Sequence, residues 1–364
     1  MQMLKRNAII DLLKFLFAIV IVLQHINVIG VSNSEYLIGK YGFVSSEFFF
    51  IVSGYLLAHS TAKKDKIESN MLGVDTIHFI LHKIQIIFPY FVSAWFIAFV
   101  SKCFIYKYGI ADIYYNLIYS IWELMFLRMS GIYHFQSIGH TWFISAMFIV
   151  MIVIYPLNKA LKDKFQLIIV PFITIIGYGF MSHNYKNIDI SYSWGGGCYM
   201  ALPRAFLAIS LGCLCYAAAD YLDRINFTKK GRVILTVIEC FLWLFVFSHI
   251  FFFYKEKLDL VNVLFIAIAT TVSFSSKSYL SQIVCGDFFS SLGKLSLTLY
   301  LNHFIVTKYV SIVAKPLNLT DIQKITVYLI GAMMMGVIGL VAGDCVKEFY
   351  NKYKFKLVKQ MIIN

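Results

Sequence analysis

The stretch Ala8–Gly30, AIIDLLKFLFAIVIVLQHINVIG, decides how the chain is read. It is long and apolar enough to cross a bilayer as a helix, yet it carries Lys14 and His25 within it. Eleven helical steps of 1.5 Å separate the two groups by roughly 16 Å, close to three whole turns, so they share one face. That separation is about half the hydrocarbon thickness. A simple anchor has no use for such a stripe, whereas ionisable groups at membrane depth mark functional sites.

Composition agrees with a membrane setting. Sixty per cent of residues are hydrophobic, only 14% are charged, and the mean hydropathy is +0.74. Soluble domains carry about 25% charged residues, so the chain reads as an all-α, polytopic helix bundle. The formal charge of +13 follows from basic loops held on the cytoplasmic side and does not call for nucleic acid as a partner. The seven cysteines, at 103, 198, 213, 215, 240, 285 and 345, have neither metal spacing nor an even framework, and no metal is expected. No small-residue cleavage site follows the first apolar run, which is therefore read as a retained helix.

Apolar runs separated by polar, lysine-containing joints predict ten spans: 8–30, 42–59, 84–104, 140–157, 165–182, 199–219, 233–254, 259–275, 288–312 and 325–345. An eleventh segment, 113–128, is short and carries Asn116, Ser120 and Glu123. Counting it as a span would throw the cations of KALKDK and DRINFTKKGR to the outside, so it is expected to be interfacial or re-entrant. Both termini are then cytoplasmic. Residues 1–346 form one transmembrane domain, and 347–364 form a basic tail suited to an anionic inner leaflet. The expected address is that of a multi-pass membrane protein, with a bacterial plasma membrane as the expected membrane.

In this topology Lys14 lies in the inner half of the membrane, while His25, Glu47, His140, Arg204 and His303 lie in the outer half. A histidine oriented by a carboxylate is the minimum equipment for a general base near neutral pH. An arginine can hold a phosphate, a carboxylate or a developing oxyanion. His134 and His183, read as loop residues, are assigned only interfacial hydrogen bonding. Lys294 is read as snorkelling to the inner interface. Gly54, Gly331, Gly336 and Gly339 read as helix-packing contacts.

Four blocks resemble the acyltransferase-3 family of membrane O-acyltransferases. They are the Lys14-x10-His25 pair, Glu47-FFFIVSGYLL, His140-Thr-Trp142-Phe143-Ile144, and LGKLSLTLYLNH from Leu292 to His303. Two departures stand out. Only Lys83 remains of an arginine cluster ahead of Pro89, the proline expected to open the third helix, and Ala146-Met147 replaces a glutamate found in some branches. The resemblance implies acyl-CoA, by family frequency acetyl-CoA, as donor, and a hydroxyl of a surface polysaccharide (capsule, exopolysaccharide or O-antigen) or its lipid-linked precursor as acceptor. Lys14, Lys83 and Arg204 are expected at the donor. His25 is expected as base, with Glu47 or His303 orienting it, or as a transient acyl carrier. Arg204 or Tyr300 would stabilise the oxyanion. Trp142, Tyr300 and Trp194 are expected against the acceptor, Trp194 within the aromatic loop 183–199. A transporter or flippase of a sugar or acyl precursor would use the same intramembrane charges without covalent chemistry. A scaffold subunit of a glycan-synthesis complex would be indifferent to loss of His25.

Overall fold

The computed structural model describes residues 7–32, 39–64, 71–132 and 136–363; Lys5, Arg6, Lys66 and His134 lie outside the described residues. Thirteen α-helices follow in order: α1 (Ala8–Gln24), α2 (Ser45–Lys64), α3 (Leu72–Tyr106), α4 (Ile110–Tyr119), α5 (Ile121–Leu124), α6 (Trp142–Leu161), α7 (Val170–Asn184), α8 (Ala201–Arg224), α9 (Lys229–Phe251), α10 (Asp259–Ser275), α11 (Leu280–Ile283), α12 (Asp287–Ala314) and α13 (Asp321–Ile363). Ten stretches among the described residues are long and apolar enough to cross a membrane, and they match the ten expected spans. The segment 113–128 lies within none of them. Its helices α4 and α5 have 10 and 4 residues, about 15 and 6 Å of rise, too short to cross.

The helix boundaries differ from expectation in instructive places. α3 starts at Leu72 and carries Pro89 in its interior rather than at its opening, so the polar run ahead of Pro89 is helical as well. His183 lies in the last turn of α7, not in a loop. α13 continues without a break from the last span through the basic tail.

Local chemistry explains the ends of α1. The Asn7 side chain accepts from the Ile10 backbone N–H at 3.2 Å, capping the helix, and its amide donates to the Ser273 carbonyl at 2.8 Å. At the far end α1 tightens at His25 into a 3-10 turn, His25–Ile29, which stops at Gly30 with φ 74°. Packing is closest between α2 and α8. A Cβ on Gly54 would lie 1.9 Å from the Ile209 carbonyl oxygen, and one on Gly212 would lie 2.1 Å from that of Ile51. Only a missing side chain permits that approach. α12 and α13 meet similarly, with Gly331 over Val306, Gly336 over Leu299 and Gly339 over Asn302. Many exposed apolar residues, among them Ile175, Val237, Leu244 and Val341, lie on the spanning helices α7, α9 and α13, as a lipid-facing surface requires.

Candidate active site

A cavity of about 810 Å³ runs through the bundle. Much of its wall is made of helix faces: Lys14, Ile21, Gln24, His25 and Val28 from α1 and its turn, and Ser46, Phe49, Ser53 and Leu56 from α2. Gly293, Ser296, Leu297, Tyr300 and Phe304 line it from α12. These spacings follow the 3.6-residue period. Lys83 of α3 joins Lys14 in the lining, and Trp142 and Phe143 of α6 line it as well. Lys14 and His25 thus face one chamber, as their spacing predicts.

Three imidazoles meet at its wall. The ring centroids lie 5.0 Å apart for His25 and His303, 4.4 Å for His140 and His303, and 6.0 Å for His25 and His140. Their partners set the tautomers. His25 Nδ1 lies 2.8 Å from the Ile21 carbonyl oxygen, which can only accept, so Nδ1 carries the proton. His303 Nδ1 likewise faces the Leu299 carbonyl at 3.1 Å, leaving its Nε2 as an acceptor 3.3 Å from His25 Nδ1. The remaining nitrogen of His25, Nε2, holds a lone pair and makes no hydrogen bond among the described residues. His25 is half-buried and lines the chamber, whereas His303 is fully buried behind it. His303 can therefore position His25 without touching a ligand.

The carboxylate expected to orient His25 is elsewhere. Glu47 and Arg204 are both fully buried and form an ion pair at 2.6 Å through Arg204 Nε. Glu47 also accepts from the Tyr178 hydroxyl at 3.0 Å. Arg204 donates further to Ser191 Oγ at 3.1 Å and to the Phe43 carbonyl at 2.8 Å, and its guanidinium lies 5.5 Å from the Trp142 ring centre. With its charge paired and no exposed surface, Arg204 is available neither to the donor nor to an oxyanion. Tyr300 lines the chamber, but its hydroxyl donates to the His140 carbonyl at 2.6 Å, and His140 Nε2 returns a bond to the Tyr300 carbonyl. That reciprocal clamp takes up the proton an oxyanion would need. Trp194 lines no described cavity. Its ring packs edge-on to Tyr199 and over Gly131.

A family model described as an acyltransferase domain, acyltransferase 3, matches residues 7–343, nearly the whole chain. The chain belongs to the acyltransferase 3 family. No curated protein and no solved structure matches it. The ten spanning helices make this acyltransferase a multi-pass membrane protein.

Sequence reading passed over several residues of the acyltransferase's chamber. His140 has its place in a motif but no role there; Gly139, with φ 92° and a missing Cβ that would sit 2.9 Å from the Phe304 ring, lets the chain turn to deliver it. Arg128 comes from the segment set aside as interfacial, yet it is buried and lines the chamber. It donates to Gln136 at 2.7 Å, the Tyr192 hydroxyl at 3.0 Å and Thr141 Oγ1 at 3.3 Å. The Tyr192 hydroxyl accepts from Arg128 and, as a phenol that keeps its proton near neutral pH, can donate in turn within the chamber. Asp189 is the sole carboxylate lining the chamber among the described residues. Arginine, tyrosine and aspartate in polar loops give no periodic signal, so only the fold could bring them here.

Two further cavities adjoin the chamber. One, of about 860 Å³, shares Lys14 and Leu56 with it and is lined by Asp11, Asp220, Asp223 and Asp287. The other, of about 1010 Å³ and open, shares Gln24, Asn27, Phe43 and Asp189. The helix ends fall into two sets accordingly: Asn7, His59, Asp223 and Gly286 around the first, Gln24, Tyr41, Asn187 and Tyr254 around the second. No group of three or more His, Cys, Asp or Glu among the described residues is arranged to hold a metal ion.

Proposed function

We propose that this acyltransferase moves an acyl group, acetyl in the simplest case, from acyl-CoA to a hydroxyl of a cell-surface polysaccharide or its lipid-linked precursor. The observation that carries the reading is His25. It lines the chamber with an unprotonated Nε2, while Nδ1–H is fixed by the Ile21 carbonyl and faces His303. That is the state a general base needs before an alcohol arrives.

The donor enters from the Lys14 end, which the positive-inside tendency assigns to the cytoplasm. Its phosphates are attracted to Lys83 and to the half-buried Lys14, which also pairs with Asp11 at 3.2 Å, and are repelled by Asp220, Asp223 and Asp287 of the neighbouring cavity. The pantetheine arm then runs along the chamber and brings the thioester toward His25. The acceptor hydroxyl enters from the opposite end and gives its proton to His25 Nε2. Its oxygen attacks the thioester carbonyl carbon, and the carbonyl electron pair moves to oxygen. Collapse of that intermediate re-forms the carbonyl and breaks the carbon–sulfur bond; the sulfur takes the proton back from His25 and leaves as free CoA thiol. His303 Nε2 accepts from Nδ1–H throughout, supporting the imidazolium while it exists. Trp142 and Tyr300 offer aromatic faces to the acceptor in the chamber wall.

The test supplies radiolabelled acetyl-CoA to the cytoplasmic face of membranes containing the protein and follows label into an alkali-labile ester on extracted glycan. Ester label with matching CoA release supports the reading. Folded protein that releases no CoA with any glycan acceptor overturns it in favour of transport.

A further inference from the structure

The acceptor end of the chamber holds a buried cation, Arg128, that no carboxylate among the described residues pairs with directly. Arg128 is 2% exposed. Its three hydrogen-bond partners, Gln136, Tyr192 and Thr141, are neutral, its Nε is buried without a hydrogen-bond partner, and no carboxylate among the described residues forms an ion pair with it. The nearest route to compensation is indirect: the Thr141 hydroxyl accepts from Arg128 and donates to Glu123 at 3.1 Å. Glu123 in turn accepts from the backbone N–H groups of Ser137 and Ile138. A buried cation in that position is costly unless an anion joins it.

The open cavity that continues from this end carries the same bias. Lys40, Lys255 and Lys257 line it, and none forms an ion pair among the described residues. Against these three stand Asp189, at the junction with the chamber, and Glu256. Between them lie the carboxamides of Gln24, Asn27 and Asn187, which suit a polyhydroxylated body. Gln24 lines both this groove and the chamber that His25 lines, so a ligand held by that amide reaches toward the base.

We propose that the acceptor carries an anionic group, a carboxylate or a phosphate on its sugar, which Arg128 and the lysines of the outer groove select. This rests on the acyl-transfer reading for what happens to the acceptor, but the binding it predicts is measurable without transfer. Arg128 meets the anion in the chamber, the lysines draw it in, and Asp189 accepts from a hydroxyl and keeps the charge from docking beside the base.

Saturation-transfer NMR on the full-length protein in lipid nanodiscs tests it with three probes: glucuronate, glucose 1-phosphate and neutral glucose. At least one charged probe is expected to bind about tenfold or more better than glucose, the usual scale of one charge-assisted contact. The advantage should fall with added salt and vanish in Arg128→Gln. Glucuronate alone points to an acidic sugar, glucose 1-phosphate alone to a phosphate-linked one. Should Arg128→Gln fail to fold, Lys255→Glu with Lys257→Glu, both at exposed positions, must remove the salt-dependent part of the preference. Equal binding of glucose and both charged probes, or no binding of any, overturns the inference. CoA release by the wild type is scored separately: its absence with preserved anion binding counts against transfer and not against the anionic site, while His25→Ala should silence release and keep the probe signals.

Discussion

At the scale of single residues, groups that act stand apart from groups that hold. His25 faces the chamber; His303 stands behind it and fixes its proton. His303→Ala is therefore expected to lower kcat by about 10–100-fold, the usual cost of losing a group that orients a functional imidazole, with little change in the KM for acyl-CoA. Steady-state kinetics check this, and a change confined to KM would assign His303 to the donor. Glu47 and Arg204 are holding groups. Removing one partner strands a fully buried charge, so Arg204→Ala should cost about 3–5 kcal/mol of stability, seen as a lower unfolding temperature in detergent. The chain order made His25, Lys14 and His303 legible, because period and motif place them on defined helix faces. It could not reveal the pairing of Glu47 with Arg204. Both sit in the same half of the membrane as His25, and which of several complementary charges meet is decided by helix rotation and by Tyr178, 131 positions from Glu47.

At the scale of elements, hydropathy alone delivered the ten spans, since a run of apolar residues long enough to cross has few other uses. It failed at α3 because a helix that continues past the hydrocarbon into polar residues gives no apolar signal there; Leu72–Lys83 is such a stretch. The glycines divide by what surrounds them. Gly54→Ala would drive a Cβ into the Ile209 carbonyl at 1.9 Å and prise α2 from α8, shifting the Glu47–Arg204 pair that bridges them. Gly179 of α7 has nothing within 4 Å of its would-be Cβ. Gly179→Ala should be neutral or stabilise by about 0.5–1 kcal/mol, while Gly54→Ala should lower the unfolding temperature by several degrees or more. Thermal unfolding of the two variants side by side tests the contrast. Similar behaviour would deny the close α2–α8 contact its role.

At the scale of the whole molecule, the two sets of helix ends form two faces joined by one chamber. In the proposed orientation the Lys14 face is the cytoplasmic one, as the bias of basic loops favours. Cys285 lies at that face and Cys198 in the loop of the opposite one, between α7 and α8. A membrane-impermeant maleimide added to intact cells should label Cys198 and spare Cys285, with both labelled after permeabilisation. The reverse pattern would invert the orientation and send the donor to the wrong end of the chamber. Hydropathy made the ten spans legible at this level, and the orientation is the part that the labelling tests. The open groove and the cation at its root were invisible to hydropathy, because they are assembled from loop residues far apart in the chain, from Gln24 to Lys257.

The central claim is that His25 performs acyl transfer in a chamber reached from both faces. The most direct measurement counts CoA thiol released from acetyl-CoA by purified protein in proteoliposomes supplied with glycan acceptor, comparing wild type with His25→Ala of equal folded content. The account predicts acceptor-dependent release by the wild type and a loss of about 10²-fold or more in the variant. Equal release by the two would contradict it.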